Sequence, residues 1–313
     1  MVQKKVIVTG GLGFIGPHLV RRLLKEGNEI LLLDRSKDRL SIKDIIDNPK
    51  LRCITTDLLK DNIGNYFKNI DEVYHLAANA DVRKGAENTK IDFDQNITVT
   101  YRVLEACRKH KVKSIIFTSS SVIYGNAKKI PTPEDYGPLF PISMYGGSKL
   151  AAEGMVTTYA SLFNMKATIL RFANVIGPGT NPHGVIFDFM TKLNKNPKNL
   201  EILGNGKQNK SYIYIDDCIE GIIFAKKTQK QQVDAFNLGS KDQLDVTSLA
   251  DIVVSNMGLK NVKYTYTGGA GGWKGDVPDM MLSAKKLEKL GWKQKYTSRQ
   301  AIDLTVKQLL SFF

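Results

Sequence analysis

Short apolar runs alternate with stretches of helical periodicity through the first half of the chain. Val6-Ile7-Val8-Thr9 is the first run. Ile15, Leu19, Leu23 and Leu24 then recur at the spacing of one helix face. The strand pattern returns at 29–33, 51–54, 71–76, 114–118 and 167–171, and helical patterns over about 93–109 and 145–163 precede the last two. Apolar strands joined through helices require a parallel sheet covered on both faces. Right-handed crossovers make that an α/β, doubly wound, Rossmann-like fold. After Arg171 the composition shifts toward Gly, Pro and Asn, and 211–215 reads as one further strand. The expected division is a first domain of 1–171 plus a returning segment of about 211–257, and a smaller C-terminal α+β lobe of 172–210 plus 258–313.

Composition narrows the class. With 313 residues, 42% hydrophobic and 24% charged, the chain resembles an ordinary globular protein. It is long enough to bury a sizeable core. Collagen-like, disordered and disulfide-scaffold classes are excluded. No apolar run approaches the ~18 residues of a membrane helix. Met1 to Lys5 lead straight into the first strand, which leaves no secretory segment, so a cytoplasmic location is expected. Cys53, Cys107 and Cys218 are widely spaced, and His18, His75, His110 and His183 are scattered. Neither a disulfide nor a metal site is expected. The net charge of +14 is compatible with nucleic acid, an anionic surface or an acidic substrate. The lysines are dispersed, with no interleaved aromatics for base stacking. A solvated surface, with no nucleic-acid or membrane partner, is the expectation.

The sharpest local signal is Thr9-Gly10-Gly11-Leu12-Gly13-Phe14-Ile15-Gly16, set between the first strand and the first helix. Gly10, Gly13 and Gly16 have the spacing that gives a tight turn, close backbone approach to a pyrophosphate, and close helix–sheet packing. The helix start, with Phe14 and Ile15, offers free N–H groups to the phosphates. Asp34 ends the second strand, about 20 residues on, where an acid binds ribose hydroxyls. A carboxylate there repels a 2′-phosphate, so NAD is expected over NADP, although the adjacent Arg35 keeps NADP in view. Asp57-Leu58 could contact the adenine, or Asp57 could cap a turn. Leu76-Ala77-Ala78 offers small side chains where a cofactor crosses the sheet, and equally where a sheet simply packs.

Tyr145-Gly146-Gly147-Ser148-Lys149 places a phenol and an ammonium on one helix face. A free phenol titrates near ~10 and is a poor base at neutrality. A neighbouring ammonium favours the phenolate, so Tyr145 is expected to titrate lower and to exchange a hydroxyl proton. The fifth strand ends in Thr118-Ser119-Ser120-Ser121, at the edge where α/β folds bind ligands. Ser120 can relay that proton, although turn chemistry accounts for at least one of the serines.

These residues resemble the extended short-chain dehydrogenase/reductases, in particular nucleotide-sugar epimerases of the UDP-glucose 4-epimerase type. The likeness also takes in Asn96, Arg171 to Pro178, Leu200 to Gly206, Tyr212 to Asp217 and Gly275-Asp276-Val277-Pro278. It implies that Ser120, Tyr145 and Lys149 are catalytic, that Asn96, Thr118 and Phe172 join the NAD site, and that the substrate is a nucleotide sugar. Ser121 and Asn174 would meet that substrate, and Val185, Ile202 and Leu203 would line its base pocket. Lys210, Lys274 and Asp276 would hold its phosphates and ribose. A homodimer through the helices near 93–109 and 145–163 is implied as well. Lys210 stands where the family usually has Arg, and Trp273-Lys274 precedes Gly275 where an Arg is common. Related dehydratases carry an acid at the position of Val122. Its absence favours 4-epimerisation of UDP-glucose and UDP-galactose, or of the N-acetylated sugars, over a nucleotide-sugar reductase or 4,6-dehydratase. A non-enzymatic NAD-binding regulator is the distant alternative.

Overall fold

The computed structural model describes residues 3–179 and 184–312; His183 lies outside them. Seven strands form the main sheet: β1 (Lys5–Thr9), β2 (Glu29–Asp34), β3 (Leu51–Thr55), β4 (Glu72–His75), β5 (Ser114–Ser120), β6 (Lys166–Phe172) and β7 (Val233–Leu238). Their order is β7-β6-β5-β4-β1-β2-β3. β1 pairs in parallel with both β2 and β4, so Thr9 lies opposite Leu33 on one side and His75 on the other. Strand order reverses there, and a crevice opens beyond the carboxyl ends of such strands. The doubly wound α/β expectation is met. β7 was not anticipated, because its run Val-Asp-Ala-Phe-Asn-Leu carries two polar residues.

Burial explains the patterning. Val6, Ile7, Val8 and Thr9 are all at 0% exposure, so β1 shows no alternation. Helix α1 (Gly16–Lys25) buries Leu19, Val20 and Leu23. Helices α2 (Val99–Lys109) and α3 (Met144–Leu162) bring Val103, Leu104, Cys107, Ala152, Val156 and Ala160 into one cluster with Ile7, Val73 and Ile115. Each large apolar side chain so buried contributes roughly 1.5–3 kcal/mol. A π-helical turn, Phe93–Thr98, stands where the first turns of an α-helix were expected. Such turns are frequent at functional sites. Arg171 pairs with Glu153 of α3 through two hydrogen bonds of 2.8 and 3.1 Å.

The chain divides into two compact units. The first is Met1–Ser120, Met144–Arg171 and Ile222–Phe236; the second is Ser121–Ser143, Phe172–Gly221 and Asn237–Phe313. This differs from the expected boundaries, since 121–143, 211–221 and 237–257 fall in the second unit. Backbone pairing is the reason. Tyr212–Tyr214 runs parallel to Asn174–Ile176, and Leu244–Asp245 pairs with Asn209–Lys210. Thr132 exchanges backbone hydrogen bonds with Met281 and Ser283, and Asn237 joins Tyr124 to Thr132 through its side chain. The second unit also holds helices Val185–Lys195, Val246–Asn256 and Ser298–Leu309, the last closed by a capping box of Thr297 and Gln300. No helix among the described residues is long and apolar enough to cross a membrane.

Candidate active site

The first unit gathers the glycine turn, Asp34 and the carboxyl ends of β4 and β5. Gly10 has φ +67°, and a Cβ there would lie 2.7 Å from the Ala77 backbone. Only glycine allows that approach. At Gly16 a Cβ would lie 2.5 Å from the Gly11 carbonyl. Asp34 ties the turn down: its Oδ2 accepts the Leu12 N–H at 2.9 Å and its Oδ1 the Ser36 N–H at 2.9 Å. The turn suits the phosphates of a dinucleotide. The N-cap residue of α1, Ile15, makes no side-chain capping bond, which suits a helix start that receives a phosphate. A Cβ at Gly13 would meet only the Gly10 carbonyl oxygen, at 3.4 Å, so the backbone there is open to close approach.

The other expected cofactor residues divide. Leu76 and Ala77 are half-buried and hydrogen-bond Thr9 through their N–H groups, and Ala78 beside them is half-buried too. Arg35 is exposed and Phe172, of the second unit, is buried. Asp57 caps a turn, accepting the Leu59 N–H at 2.9 Å. The Leu58 side chain is buried in the apolar cluster with Leu33 and Phe67, which leaves its backbone as the part that could contact the adenine. Asn96 is 1% exposed and spends its side chain inside the protein. Its Nδ2 donates to Ser148 Oγ at 2.8 Å and its Oδ1 accepts the Asn79 N–H at 2.8 Å.

Ser120, Tyr145 and Lys149 do converge. Ser120 hydrogen-bonds the Tyr145 phenol. Lys149 is 3% exposed, donates to the Thr118 carbonyl at 2.8 Å, and lies 4.8 Å from the Phe117 ring centroid and 6.0 Å from that of Tyr145. The expected acidity of Tyr145 is corrected. Burial, with the Asp92 charge adding to it, pushes the phenol up to about 12 against the opposing Ser120 bond. Burial pulls the Lys149 ammonium down to about 8, and Glu153 and Asp92 resist. The helix spacing put the pair on one face, but Thr118 directs the ammonium toward the strand end and desolvation outweighs it.

In the second unit Lys210 forms an ion pair with Asp276, donates to the Val277 carbonyl at 2.7 Å and lies 5.5 Å from the Trp273 ring centroid. Asp276 also accepts the Gly272 N–H at 2.9 Å. Lys274 and Asn174 are exposed, and Asn174 Nδ2 donates to the Ser211 carbonyl at 3.2 Å. Val185 and Leu203 are half-buried, and Ser121 is buried. Ile202 is a second correction. It is at 0% exposure, on the inward alternation of Asn199–Ile202, and cannot line a pocket with its side chain.

Sequence reasoning missed His75, Asp92 and Asn79. His75 is 1% exposed, with Nδ1 2.7 Å from Thr9 Oγ1 and Nε2 3.0 Å from Thr100 Oγ1. Asp92 lies one turn before Asn96, and Asn79 Nδ2 donates to it at 2.7 Å. Polar residues at helix spacing ahead of an apolar helix were the available signal.

The comparisons with known proteins agree with this geometry. The profile of the NAD dependent epimerase/dehydratase family matches residues 6–239. A putative UDP-glucose 4-epimerase of Methanocaldococcus jannaschii is 31% identical over 311 residues, covering 96% of this chain and 97% of the relative. A crystal structure of a UDP-galactose 4-epimerase superposes with TM-score 0.88 and 38% identity over 98% of this chain and 99% of the other. The UDP-glucuronic acid 4-epimerase of Bacillus cereus, in complex with UDP-glucuronic acid and NAD, gives TM-score 0.90 and 28% identity over 99% and 100%.

Proposed function

The chain belongs to the NAD dependent epimerase/dehydratase family, and we propose that it is an NAD-dependent 4-epimerase of a nucleotide sugar, with UDP-glucose and UDP-galactose as the substrate pair. The observation that carries the reading is the Ser120 hydrogen bond to Tyr145 beside a buried Lys149. The likeness to UDP-sugar 4-epimerases over nearly the whole chain supports the substrate class. Val122, where dehydratases carry an acid, favours epimerisation over elimination of water.

NAD, when bound, would supply the acceptor and donor of the sugar C4 hydride and a positive charge that favours the phenolate. Tyr145 takes the 4-hydroxyl proton and gives it back. Ser120 stabilises the phenolate by donating to it. Lys149, held by the Thr118 carbonyl, adds a positive charge on the same helix face. The turn from Gly10 to Gly16 receives the pyrophosphate and Asp34 the ribose of the cofactor. Lys210, Lys274, Asp276 and Asn174 of the second unit hold the nucleotide, so binding energy remote from C4 orients the sugar.

The test is interconversion of UDP-glucose and UDP-galactose, assayed beside UDP-glucuronate, UDP-N-acetylglucosamine and GDP-mannose. Tyr145→Phe should lower kcat by at least ~10²-fold, the range of a general acid–base, with NAD affinity unchanged. Undiminished turnover in that variant would falsify the role of Tyr145. Net NADH consumption would identify a reductase, and an accumulating 4-keto sugar a dehydratase. The protein also acts as a homodimer in this reading. Phe93, Tyr101, Leu162 and Phe163 are 53%, 48%, 69% and 44% exposed on or beside α2 and α3. Sedimentation as a monomer at assay concentration would remove that part.

A further inference from the structure

One member of the polar cluster beside the start of α3 has no task in the chemistry above. Asp92 is wholly buried at 0% exposure. Its Oδ1 accepts from Asn79 Nδ2 at 2.7 Å and from Asn96 Nδ2 at 3.3 Å, whereas its buried Oδ2 has no hydrogen-bond partner. An under-bonded buried carboxylate is costly, and an apolar side chain would fill the space more cheaply. The fold makes room for it. A Cβ at Gly85 would stand 2.0 Å from Asp92 Oδ2.

The cluster leads to the reacting groups in two ways. By contact, Asn96 Nδ2 donates to Ser148 Oγ at 2.8 Å, and Ser148 Oγ donates to the Tyr145 carbonyl at 2.8 Å. This pins the first turn of α3 to the π-helical turn. By charge, the groups facing Asp92 are Lys149 and Tyr145 from α3 and Asp81 from the loop after β4. Asp81 is itself paired with Arg83 at 3.5 Å and Lys84 at 3.8 Å, and Glu153 acts on Lys149 from the next turn of α3.

We propose that Asp92 is a positioning residue of the reaction: through Asn96 and Ser148 it fixes the turn that carries Tyr145, and its negative charge sets the pH window in which Tyr145 and Lys149 work. The Asp92 charge raises both groups, so its loss lets both titrate lower. The activity readout of this proposal rests on the 4-epimerase reading; the titration readout does not.

The experiment compares wild type with Asp92→Asn, which keeps the shape and one acceptor and removes the charge. The pH profile of kcat/KM is measured for UDP-galactose. Tyr145 is titrated directly by NMR of Cζ-labelled tyrosine, assigned with Tyr145→Phe, with and without added NAD. Both limbs of the profile and the Tyr145 resonance should move to lower pH by about half a unit or more, the scale of a unit charge at close range. A lower kcat with every titration unmoved marks Asp92 as structural only and overturns the proposal. Should Asp92→Asn fail to fold, Asp92→Ser is smaller, keeps a hydrogen-bonding group beside Asn79 and Asn96, and removes the same charge. It should move Tyr145 in the same direction, and an unmoved Tyr145 again overturns the proposal. If wild type interconverts no nucleotide sugar, the 4-epimerase reading fails while the resonance still decides the role of Asp92.

Discussion

Gly10 and Gly13 stand three residues apart in one turn, and the structure separates what each is for. Alanine at Gly13 adds a methyl group that meets nothing within 4 Å except the Gly10 carbonyl oxygen, at the ordinary contact distance of 3.4 Å. Its φ is not left-handed. The fold should therefore tolerate Gly13→Ala, and the unfolded chain loses freedom, a gain of about 0.4–1 kcal/mol. The same methyl occupies the space in which a pyrophosphate would approach the backbone. Loss of that approach should weaken NAD at least tenfold, or ~1.4 kcal/mol. Gly10→Ala is the opposite case. It forces alanine into the left-handed region, at roughly 1–2 kcal/mol, and drives its Cβ to 2.7 Å from the Ala77 backbone, which cannot yield without moving the end of β4. The assay is calorimetric titration of NAD beside denaturant unfolding for both variants. Expected are an intact Gly13→Ala protein that binds NAD poorly, and a Gly10→Ala protein that is destabilised. A Gly13→Ala protein with wild-type NAD affinity would refute the placement of the phosphates at this turn.

Two further expectations follow from side chains around that turn. Asp34→Ala frees the Leu12 and Ser36 N–H groups and removes the charge that repels a 2′-phosphate; NAD affinity should fall and preference over NADP should narrow, and an unchanged preference would reduce Asp34 to a turn anchor. His75 is held neutral by burial, with Lys149 adding to it, down to about 3 from its ordinary 6.5. The unfolded chain thus takes up a proton near 6.5 that the folded chain refuses. Its stabilising effect is complete above 6.5 and is lost as pH falls toward 3, at one proton's ~1.4 kcal/mol per pH unit. His75→Gln should flatten unfolding free energy against pH by that slope over this window, and identical slopes would show that the folded protein protonates His75.

Much of the fold could be read from the sequence, because six strands of the main sheet announce themselves as short, largely apolar runs. Val6, Ile7 and Val8 are all at 0% exposure, and such a run has few other fates. The seventh, Val233–Leu238, was hidden by Asp234 and Asn237, whose polarity argues against a strand with two covered faces. Domain boundaries were misread for a related reason. They follow from which strand pairs with which, and two- and three-residue strands such as Tyr212–Tyr214 carry no periodicity from which a partner could be inferred. Within the candidate site the glycine turn and the Ser120–Tyr145–Lys149 constellation were legible, since their spacing is local. The place of Ile202 was not, because burial decides whether an apolar side chain faces a ligand or the core.

The larger lesson lies in the charges. Spacing of i, i+4 brings Lys149 to the face of Tyr145, and sequence logic then makes the phenol acidic. The folded chain desolvates both groups and sets the Asp92 charge near the phenol, so Tyr145 stands at about 12 instead. A base that is acidic at rest would hold a charge in a dry site with nothing bound. One that becomes acidic only when a cation arrives is ionised when the chemistry needs it. The same logic applies to the second unit. Lys210 looks like a free cation for a diphosphate, yet Asp276, 66 residues away, already neutralises it. The pair brings no net charge to an incoming anion, and attraction falls to the exposed Lys274, whose field is screened within about 8–10 Å by salt. In the proposed reading this pair therefore contributes hydrogen-bonding groups held in fixed positions, not net charge, to recognition of a nucleotide.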